Sequence, residues 1–195
     1  MRRLIVGISG ASGVIFGVRA LQVLRTLPGI ETHLVLSAAA RRTLVEETDW
    51  SAAAVEALAD TVHNPKDIGA AIASGSFRTA GMLVAPCSIK TLSGIANSYA
   101  DNLLTRAADV CLKERRPLVL MLRETPLHLG HIELMERATR CGAILAPPVP
   151  AFYNRPATID DLIDHAVGKA LDLFDIEHRL LKRWKEDEEH DRCGG

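Results

Sequence analysis

The sequence predicts a single-domain α/β fold in which a doubly wound parallel sheet lies between two layers of helices. Two observations lead to this prediction. Short apolar runs without in/out alternation recur along the chain, and each is followed by a turn and by a segment with apolar residues at helical spacing. The chain has 195 residues, of which 48% are hydrophobic, so it can fill one sizeable core. No internal repeat and no linker rich in Gly, Pro or Ser divides it.

Strands and helices are predicted to alternate from the first residues onward, with each strand passing through a short turn into a helix. The predicted strands are residues 4–8, 33–36, 82–85, 118–122 and 143–145. Helices are predicted over residues 14–24, after Ser37, after Ser88, over 102–116 and, as a long amphipathic helix, over 159–184. Residues 1–184 are therefore expected to form the domain, and the charged residues 185–195 a frayed tail.

The composition argues against several classes of function. Lys plus Arg number 23 and Asp plus Glu number 24, so the formal charge of -1 gives no broad footprint for nucleic acid or an anionic membrane. The four cysteines form no CxxC pair, which disfavours a zinc site and a disulfide framework and favours a reducing cytosol. No stretch approaches the roughly 18 apolar residues that a membrane span needs, so we expect no membrane association.

The first loop, GISGASG at residues 7–13, joins a strand to a helix N-terminus, where free N–H groups attract an anion. Its glycines follow the spacing GxxGxxG rather than GxGxxG, and the second strand ends at Ser37 rather than at an acidic residue. A dinucleotide cofactor is thus disfavoured, whereas a mononucleotide fits. The alternative is a tight strand-to-helix turn without a ligand.

A second loop of the same kind is PCSIKT at residues 86–91. Its two hydroxyls and its lysine suit a polar ligand, and parallel strands deliver such loops to the same edge of a sheet, where ligands of doubly wound folds bind. Taken alone, Ser88 fits the N-cap of the following helix equally well.

The helix predicted at residues 102–116 carries cations that could bind a second phosphate. Arg106 and Lys113 lie seven residues apart and hence on one face. Arg offers a planar fork of donors and Lys a compact charge. We interpret Arg115 and Arg116 as solvated cations that complement the helix dipole.

Further candidates follow the last two strands. The pair Arg123 and Glu124 could face the ligand cleft and relay a proton, or could form a surface ion pair. Tyr153, in an apolar proline-rich loop, could pack its ring against an apolar substrate and form a hydrogen bond to a phosphate through its hydroxyl. His128 and His131 have no third partner at metal-ligand spacing, and we interpret them as loop and helix-start residues.

Taken together, these motifs resemble the UbiX-type flavin prenyltransferases, flavoproteins with a Rossmann/flavodoxin-like three-layer fold. The resemblance spans roughly residues 4–184. The motifs that carry it are GISGASG (7–13), SGSF (74–77), PCSIKTL (86–92), RAAD (106–109), LKERRPLVL (112–120) and PAFY (150–153).

The resemblance implies transfer of a dimethylallyl group from dimethylallyl monophosphate to N5 and C6 of reduced FMN, without a metal. The implied FMN contacts are Gly10, Ala11, Ser12, Ser37, Ser88, Ile89, Lys90, Thr91 and Arg123. The residues implied around the prenyl phosphate are Ser74, Arg106, Lys113, Glu124, Tyr153 and Lys169. Those implied in catalysis are Glu124, Lys113, Arg106, Glu47 and Ser12. Lys169 is arginine in some relatives, and a lysine there cannot offer a bidentate fork.

The same resemblance implies a homo-oligomer, a dodecamer, in which several of these residues come from a neighbouring subunit. It also implies a cytoplasmic enzyme whose product, prenylated FMN, serves a UbiD-type decarboxylase in ubiquinone synthesis or aromatic acid metabolism. The proton at C6 would be taken by Glu124 or by the departing phosphate, and the sequence leaves both open.

Two other interpretations stay open. One is an FMN-dependent cysteine-decarboxylase-like flavoprotein, which resembles this chain in fold but needs a histidine after the first glycine loop, where residues 13–17 contain none. The other is a noncatalytic FMN-binding subunit of a decarboxylase complex.

Overall fold

One parallel sheet of six strands, in the order β3-β2-β1-β4-β5-β6, forms the centre of the molecule. The structure is a computed structural model and describes residues 1–181. The strands are β1 (Arg2–Ile8), β2 (Ile30–Leu36), β3 (Thr61–His63), β4 (Gly81–Cys87), β5 (Leu118–Leu122) and β6 (Ile144–Leu145). The helices are α1 (Val14–Thr26), α2 (Ala38–Glu47), α3 (Ala52–Glu56), α4 (Ile89–Ala96), α5 (Leu103–Lys113), α6 (Leu129–Arg140) and α7 (Ile159–Asp172).

The sheet is doubly wound about β1. The chain adds β2 and β3 on one side of this strand, then crosses to place β4, β5 and β6 on the other. Every strand pair is parallel, and β1 is in register with both neighbours, Val6 opposite Leu34 on one side and Leu83 on the other. The predicted fold class is therefore confirmed, and the strand order reverses between β1 and β4, which is where such folds bind ligands.

Each face of the sheet carries its own hydrophobic cluster because successive side chains of a strand point to opposite faces. Leu4, Val6 and Ile8 of β1 pack with α1, α2 and α7. Ile5, on the opposite face, packs with residues of β4, α4 and α5. These runs are apolar throughout, as a sheet covered on both faces requires.

The C-terminal helix is shorter than predicted. It begins at Ile159 as expected but ends at Asp172, not at residue 184. Phe174 and Ile176, two residues apart, are both buried in the core beneath it. Helical spacing cannot bury both of these side chains, and the chain turns through Asp175 at φ 51°. Residues 182–195, with Trp184 and the predicted tail at 185–195, lie outside the described residues.

The first helix packs unusually close to the sheet at Gly17. A Cβ at this position would overlap the carbonyl oxygen of Ala85 in β4 and lie 2.7 Å from Cδ1 of Ile8 in β1. The absence of a side chain therefore sets the distance between α1 and the two central strands, and with it the position of the loop before α1.

We predict that Gly17→Ala lowers the free energy of unfolding by about 1–3 kcal/mol, the usual range for overpacking, even though alanine has the higher helix propensity. Urea unfolding followed by circular dichroism measures this change in the free energy of unfolding. Gly69→Ala is the matched control, since its Cβ meets only Asp67 Oδ1 at 3.4 Å, and this variant should unfold like the wild type. Equal stability of the two variants would contradict the close-packing argument.

Candidate functional site

A cavity of about 1340 Å³ opens at the carboxyl ends of β1, β2 and β4. Ser9 and Gly10 line it from the loop after β1, Ser37 from the end of β2, and residues 88–91 from the loop after β4. The two loops that the sequence singled out thus meet at the point where the strand order reverses. The volume exceeds the 300–1,000 Å³ typical of sites for drug-sized ligands, so a mononucleotide has room.

Ser9 ties these two loops together. Its hydroxyl donates to the carbonyl of Pro86 at 2.8 Å and accepts from the backbone N–H of Ser88, also at 2.8 Å. The residue is only 2% exposed. Because a buried N–H or C=O without a partner is costly, this side chain fixes the spacing between the first loop and the start of α4.

Ser37 and Ser88 cap helices and line the cavity at once. The Ser37 hydroxyl accepts from the N–H of Ala40 at 3.0 Å, at the start of α2. The Ser88 hydroxyl accepts from the N–H of Thr91 at 3.3 Å and donates to the Thr91 hydroxyl at 3.1 Å, at the start of α4. The capping interpretation of Ser88 is therefore correct, and it is compatible with a ligand because both helix N-termini face the same space.

The N-terminus of α1 is satisfied by a different group. Glu47, the last residue of α2, accepts from the N–H of Gly13 at 2.8 Å and of Val14 at 3.4 Å. A carboxylate thus occupies the anion position that the first loop offers, directly beside the exposed Ser12. The hydroxyl-lined N-termini of α2 and α4 are left facing the cavity.

The cysteine in the second loop is structural. Cys87 is completely buried at the end of β4, and burial raises the pKa of its thiol to about 12. It stays protonated at neutral pH and is no nucleophile.

The cavity gathers six of the nine implied FMN contacts. Ala11, Ser12 and Arg123 do not line it; the backbone N–H of Arg123 pairs instead with the carbonyl of Cys87 at 3.1 Å. The six that line it are Gly10, Ser37, Ser88, Ile89, Lys90 and Thr91.

Ser74, Arg106 and Lys113 form a second group, outside the cavity. Arg106 donates to the carbonyl of Ala73 at 3.3 Å and to Oδ2 of Asp109 at 2.7 Å. Lys113 pairs with Glu114, whose pKa the ammonium lowers through a hydrogen bond and through its charge. The two cations share one face of α5 as predicted, about 10 Å apart along the helix axis.

The two arginines after α5 differ from each other. Arg115 is exposed, as expected for a solvated cation. Arg116 is partly buried and donates to the carbonyls of Gly75 at 2.6 Å and Phe77 at 2.7 Å. The prediction that Arg116 is solvated is wrong, because the open carbonyls of the 74–77 turn need donors and its guanidinium reaches them.

Arg123 and Glu124 follow β5 and are both exposed. Within residues 1–181 they form no ion pair with each other. Glu124 Oε1 instead accepts from the N–H of Thr125 at 3.0 Å. The surface ion-pair interpretation is thus wrong, and the carboxylate is held at the carboxyl edge of the sheet.

Tyr153 and Lys169 form a third group, around α7. The Tyr153 hydroxyl lies 2.9 Å from Nε2 of His165. Lys169 follows one helical turn after His165, and its charge adds to the effect of burial in lowering the pKa of that imidazole.

Sequence reasoning missed several residues of the cavity. Ser9 belongs to the GISGASG motif, but the sequence analysis did not select it. Its position directly after the apolar strand β1 could have indicated that it lies at the cavity. His128, the N-cap of α6, and His131 also line the cavity, with rings 3.7 Å apart, as does Lys66. Their local sequence carries no such signal, since only the fold brings them to this edge.

Other features of the described chain do not compete with this site. A second groove, of about 790 Å³, lies between α1 and residues 177–180 and contains none of the predicted site residues. Within residues 1–181, no group of three or more His, Cys, Asp or Glu could hold a metal. No helix in the same range is both long and apolar enough to cross a membrane.

Comparison with known proteins identifies the family. The family model called Flavoprotein matches residues 1–181. The flavin prenyltransferase UbiX of Escherichia coli (strain K12) is 63% identical over 187 residues, which are 95% of this chain and 99% of that protein. The chain belongs to the UbiX flavin prenyltransferase family. The resemblance inferred from the motifs is confirmed.

Solved structures of UbiX proteins have the same fold. A crystal structure of AnUbiX (PadA1) in complex with FMN and dimethylallyl pyrophosphate is 51% identical, with a TM-score of 0.92, and the match covers 94% of this chain and 97% of that one. A dodecameric FMN-dependent UbiX-like decarboxylase from Escherichia coli O157:H7 is 54% identical, with a TM-score of 0.91, covering 93% and 98% of the two chains.

We predict that Ser9→Ala releases the second loop. The Ser88 N–H then loses its buried acceptor, which costs about 1–3 kcal/mol, and the start of α4 should exchange its amide hydrogens faster. Hydrogen–deuterium exchange of peptides covering residues 86–96 measures the effect.

Ser51→Ala is the matched control for this prediction. Ser51 caps α3 by accepting from the N–H of Ala54 at 3.1 Å, and it does not line the cavity. Its replacement should cost a similar free energy of unfolding without changing exchange at residues 86–96. Unchanged exchange in Ser9→Ala would show that the bridge does not hold the loop.

Proposed function

We propose that this protein is a flavin prenyltransferase that joins the dimethylallyl group of dimethylallyl monophosphate to N5 and C6 of reduced FMN. The observation that carries the proposal is 63% identity over nearly the full length to a flavin prenyltransferase. The products are prenylated FMN and inorganic phosphate. The C–O bond of the donor breaks, bonds form at N5 and C6, and the protons released at these atoms balance the protonation of the phosphate and the alkene carbon.

We infer that FMN binds in the cavity at the carboxyl edge of the sheet. The hydroxyls of Ser37, Ser88 and Thr91, the N-termini of α2 and α4, and the ammonium of Lys90 suit the phosphate of a mononucleotide. Ser12 in the first loop, and Glu47, which accepts from the Gly13 N–H of that loop, would then lie near the reacting atoms of the flavin. Arg123 would complete the contacts from the end of β5.

The prenyl phosphate would be held by Ser74, Arg106, Lys113, Tyr153 and Lys169. Negative charge grows on the phosphate as the C–O bond breaks, so cations already in place stabilise the transition state more than the ground state. Arg106, Lys113 and Lys169 could together neutralise the leaving phosphate, as a metal ion does in other prenyl transfer enzymes. Tyr153 would also shield the developing allyl cation with its ring.

The proton at C6 needs a base at the end of the reaction. Glu124 is held at the carboxyl edge of the sheet by its hydrogen bond to Thr125, near the loops that would bind the flavin. We propose Glu124 or the released phosphate dianion for this step.

We further propose that the active site is shared between protomers of a dodecamer. In one protomer the FMN cavity, the group on α5 and the group on α7 occupy separate places, and neither cation group lines the cavity. Large apolar side chains are exposed around α6 and the loop after β6, which suits contact with another copy. They include Leu129 (69% exposed), Val149 (71%) and Phe152 (72%). The E. coli O157:H7 relative is dodecameric.

The product would serve a UbiD-type decarboxylase, with ubiquinone synthesis or aromatic acid metabolism as the pathway. A cytoplasmic location fits the three cysteines of the described chain, which are free thiols.

We predict that the protein, incubated anaerobically with reduced FMN and dimethylallyl monophosphate, adds one C5H8 unit to the extracted flavin, as seen by mass spectrometry. Lys113→Ala should slow the transfer at least about a hundredfold, because it removes a charge that acts in the transition state. Arg115→Ala is the matched control: it removes an exposed cation two residues away and should transfer at the wild-type rate.

The outcomes separate the competing functions. Flavin that returns unchanged, together with loss of CO2 from a cysteine-terminated peptide, would support the cysteine-decarboxylase alternative. Unchanged flavin with stable co-purification of a decarboxylase would support a noncatalytic subunit. Running dimethylallyl pyrophosphate, the ligand of AnUbiX, in parallel tells which donor the site accepts.

We also predict that two inactive variants restore each other. Lys113→Ala and Ser88→Ala each impair one half of the site. If the halves come from different protomers, randomly mixed oligomers have about a quarter of their sites intact. Co-expression with two affinity tags, followed by the transfer assay, measures this fraction. Mixed oligomers as inactive as either variant alone would place both halves in one protomer.

A further inference from the structure

The turn at residues 74–77 is tied to the segment after α5 by one guanidinium. Arg116 donates from Nη2 to the carbonyl of Gly75 at 2.6 Å and from Nη1 to the carbonyl of Phe77 at 2.7 Å. A planar fork of donors can serve two carbonyls at once, whereas the ammonium of a lysine is a single compact charge. The distance between this turn and the end of α5 therefore depends on Arg116.

The last residue of the turn is fixed to the sheet. The ring of Phe77 meets that of His33 edge to face, with centroids 5.2 Å apart, and the guanidinium of Arg3 lies 4.7 Å from the Phe77 centroid. His33 is only 3% exposed, and Arg3 is paired with Glu31 at 3.0 Å. The N–H of Phe77 donates to the carbonyl of Ser74 at 3.2 Å, which closes the turn.

The first half of the turn lies against the two cations of α5. Ala73, just before Ser74, accepts from Nε of Arg106 at 3.3 Å. Gly75, just after Ser74, lies beside Lys113, since a Cβ added to Gly75 would be 2.6 Å from Nζ. The side chain of Ser74 is exposed. The position of the turn thus brings Ser74 next to both cations.

We propose that Arg116 is a positioning residue for the prenyl donor: by holding the turn, it keeps Ser74 beside Arg106 and Lys113, where one phosphate can meet all three. The inference rests on the proposed function and adds a residue that acts through the turn rather than by touching the substrate. Groups that are already in place bind a phosphate more tightly, because less freedom is lost on binding.

The first test removes the fork and keeps the charge. The ammonium in Arg116→Lys cannot hold both carbonyls, so the turn should loosen. In the full-length protein we expect KM for dimethylallyl monophosphate to rise about tenfold, the order of one lost hydrogen bond, with KM for reduced FMN unchanged. Peptides covering residues 71–80 should also exchange their amide hydrogens faster in the protein without substrates.

Arg2→Lys is the matched control. Arg2 also joins two backbone carbonyls with one guanidinium, those of Phe174 at 2.6 Å and Asp175 at 3.0 Å. Phe174 packs in the hydrophobic cluster on the opposite face of the sheet from Phe77. The control should lower the free energy of unfolding by a similar amount, while KM for the donor and exchange at residues 71–80 stay as in the wild type.

A double-mutant cycle tests whether Arg116 acts through Ser74. Ser74→Ala alone should raise KM for the donor, and in that background Arg116→Lys should add less than about a twofold further rise. Equal effects of Arg116→Lys in both backgrounds, an unchanged KM for the donor, or a matching rise in KM for reduced FMN would each overturn the proposal and leave the transferase intact. A wild-type protein that transfers no prenyl group would overturn both.

Gly75→Ala decides the outcome if thermal unfolding shows that Arg116→Lys does not fold. The atoms that its Cβ would meet belong to the ends of the Lys113 and Glu114 side chains, which can move aside. This variant should fold like the wild type but displace the ammonium from Ser74, and so raise KM for the donor at least about threefold. An unchanged KM would overturn the proposal, because the distance between the turn and Lys113 would then not matter.

Discussion

Strand β1 is the constraint from which the rest of the structure follows. It pairs in parallel register with β2 on one side and β4 on the other, and its alternate side chains start the hydrophobic cluster on each face. Parallel pairing sends the ends of all three strands to one edge of the sheet. Ser9, Ser37 and Ser88, which are far apart in sequence, consequently surround one cavity.

That edge collects the N-termini of three helices, and each needs acceptors for its first N–H groups. The protein meets this need in two ways. Glu47 serves α1 from the end of α2, whereas Ser37 and Ser88 serve α2 and α4 from their own N-cap positions. A carboxylate repels an anion and a neutral hydroxyl does not, so an anion at this edge would be favoured beside α2 and α4 rather than beside α1. Ser9 keeps the geometry constant by spanning the two loops.

The two cations of the second group, Arg106 and Lys113, are each paired with a carboxylate of the same protomer. Arg106 is paired with Asp109 and Lys113 with Glu114, on a helix face that carries no part of the cavity. These pairs are partly exposed and contribute little to stability. Arg106 is held in its orientation by the Ala73 carbonyl and Asp109, so its guanidinium would lose less freedom on binding an anion. The hydroxyl of Tyr153 has a defined contact of its own, with His165 of α7.

The sequence by itself determined the fold class, the two loops at the carboxyl edge and the family. Apolar runs without alternation indicate strands that are buried on both faces of the sheet. Glycine and serine at strand ends indicate close backbone approach and helix capping. These patterns are all local in the sequence. Only the tertiary structure decided that Glu47 serves α1, that Arg116 is tied to the 74–77 turn, and that His165 meets Tyr153. It also ended α7 at Asp172, since burying Phe174 and Ile176 outweighs the local preference for helix. These contacts join residues that are distant in sequence or depend on the shape of the whole core, and no local pattern encodes them.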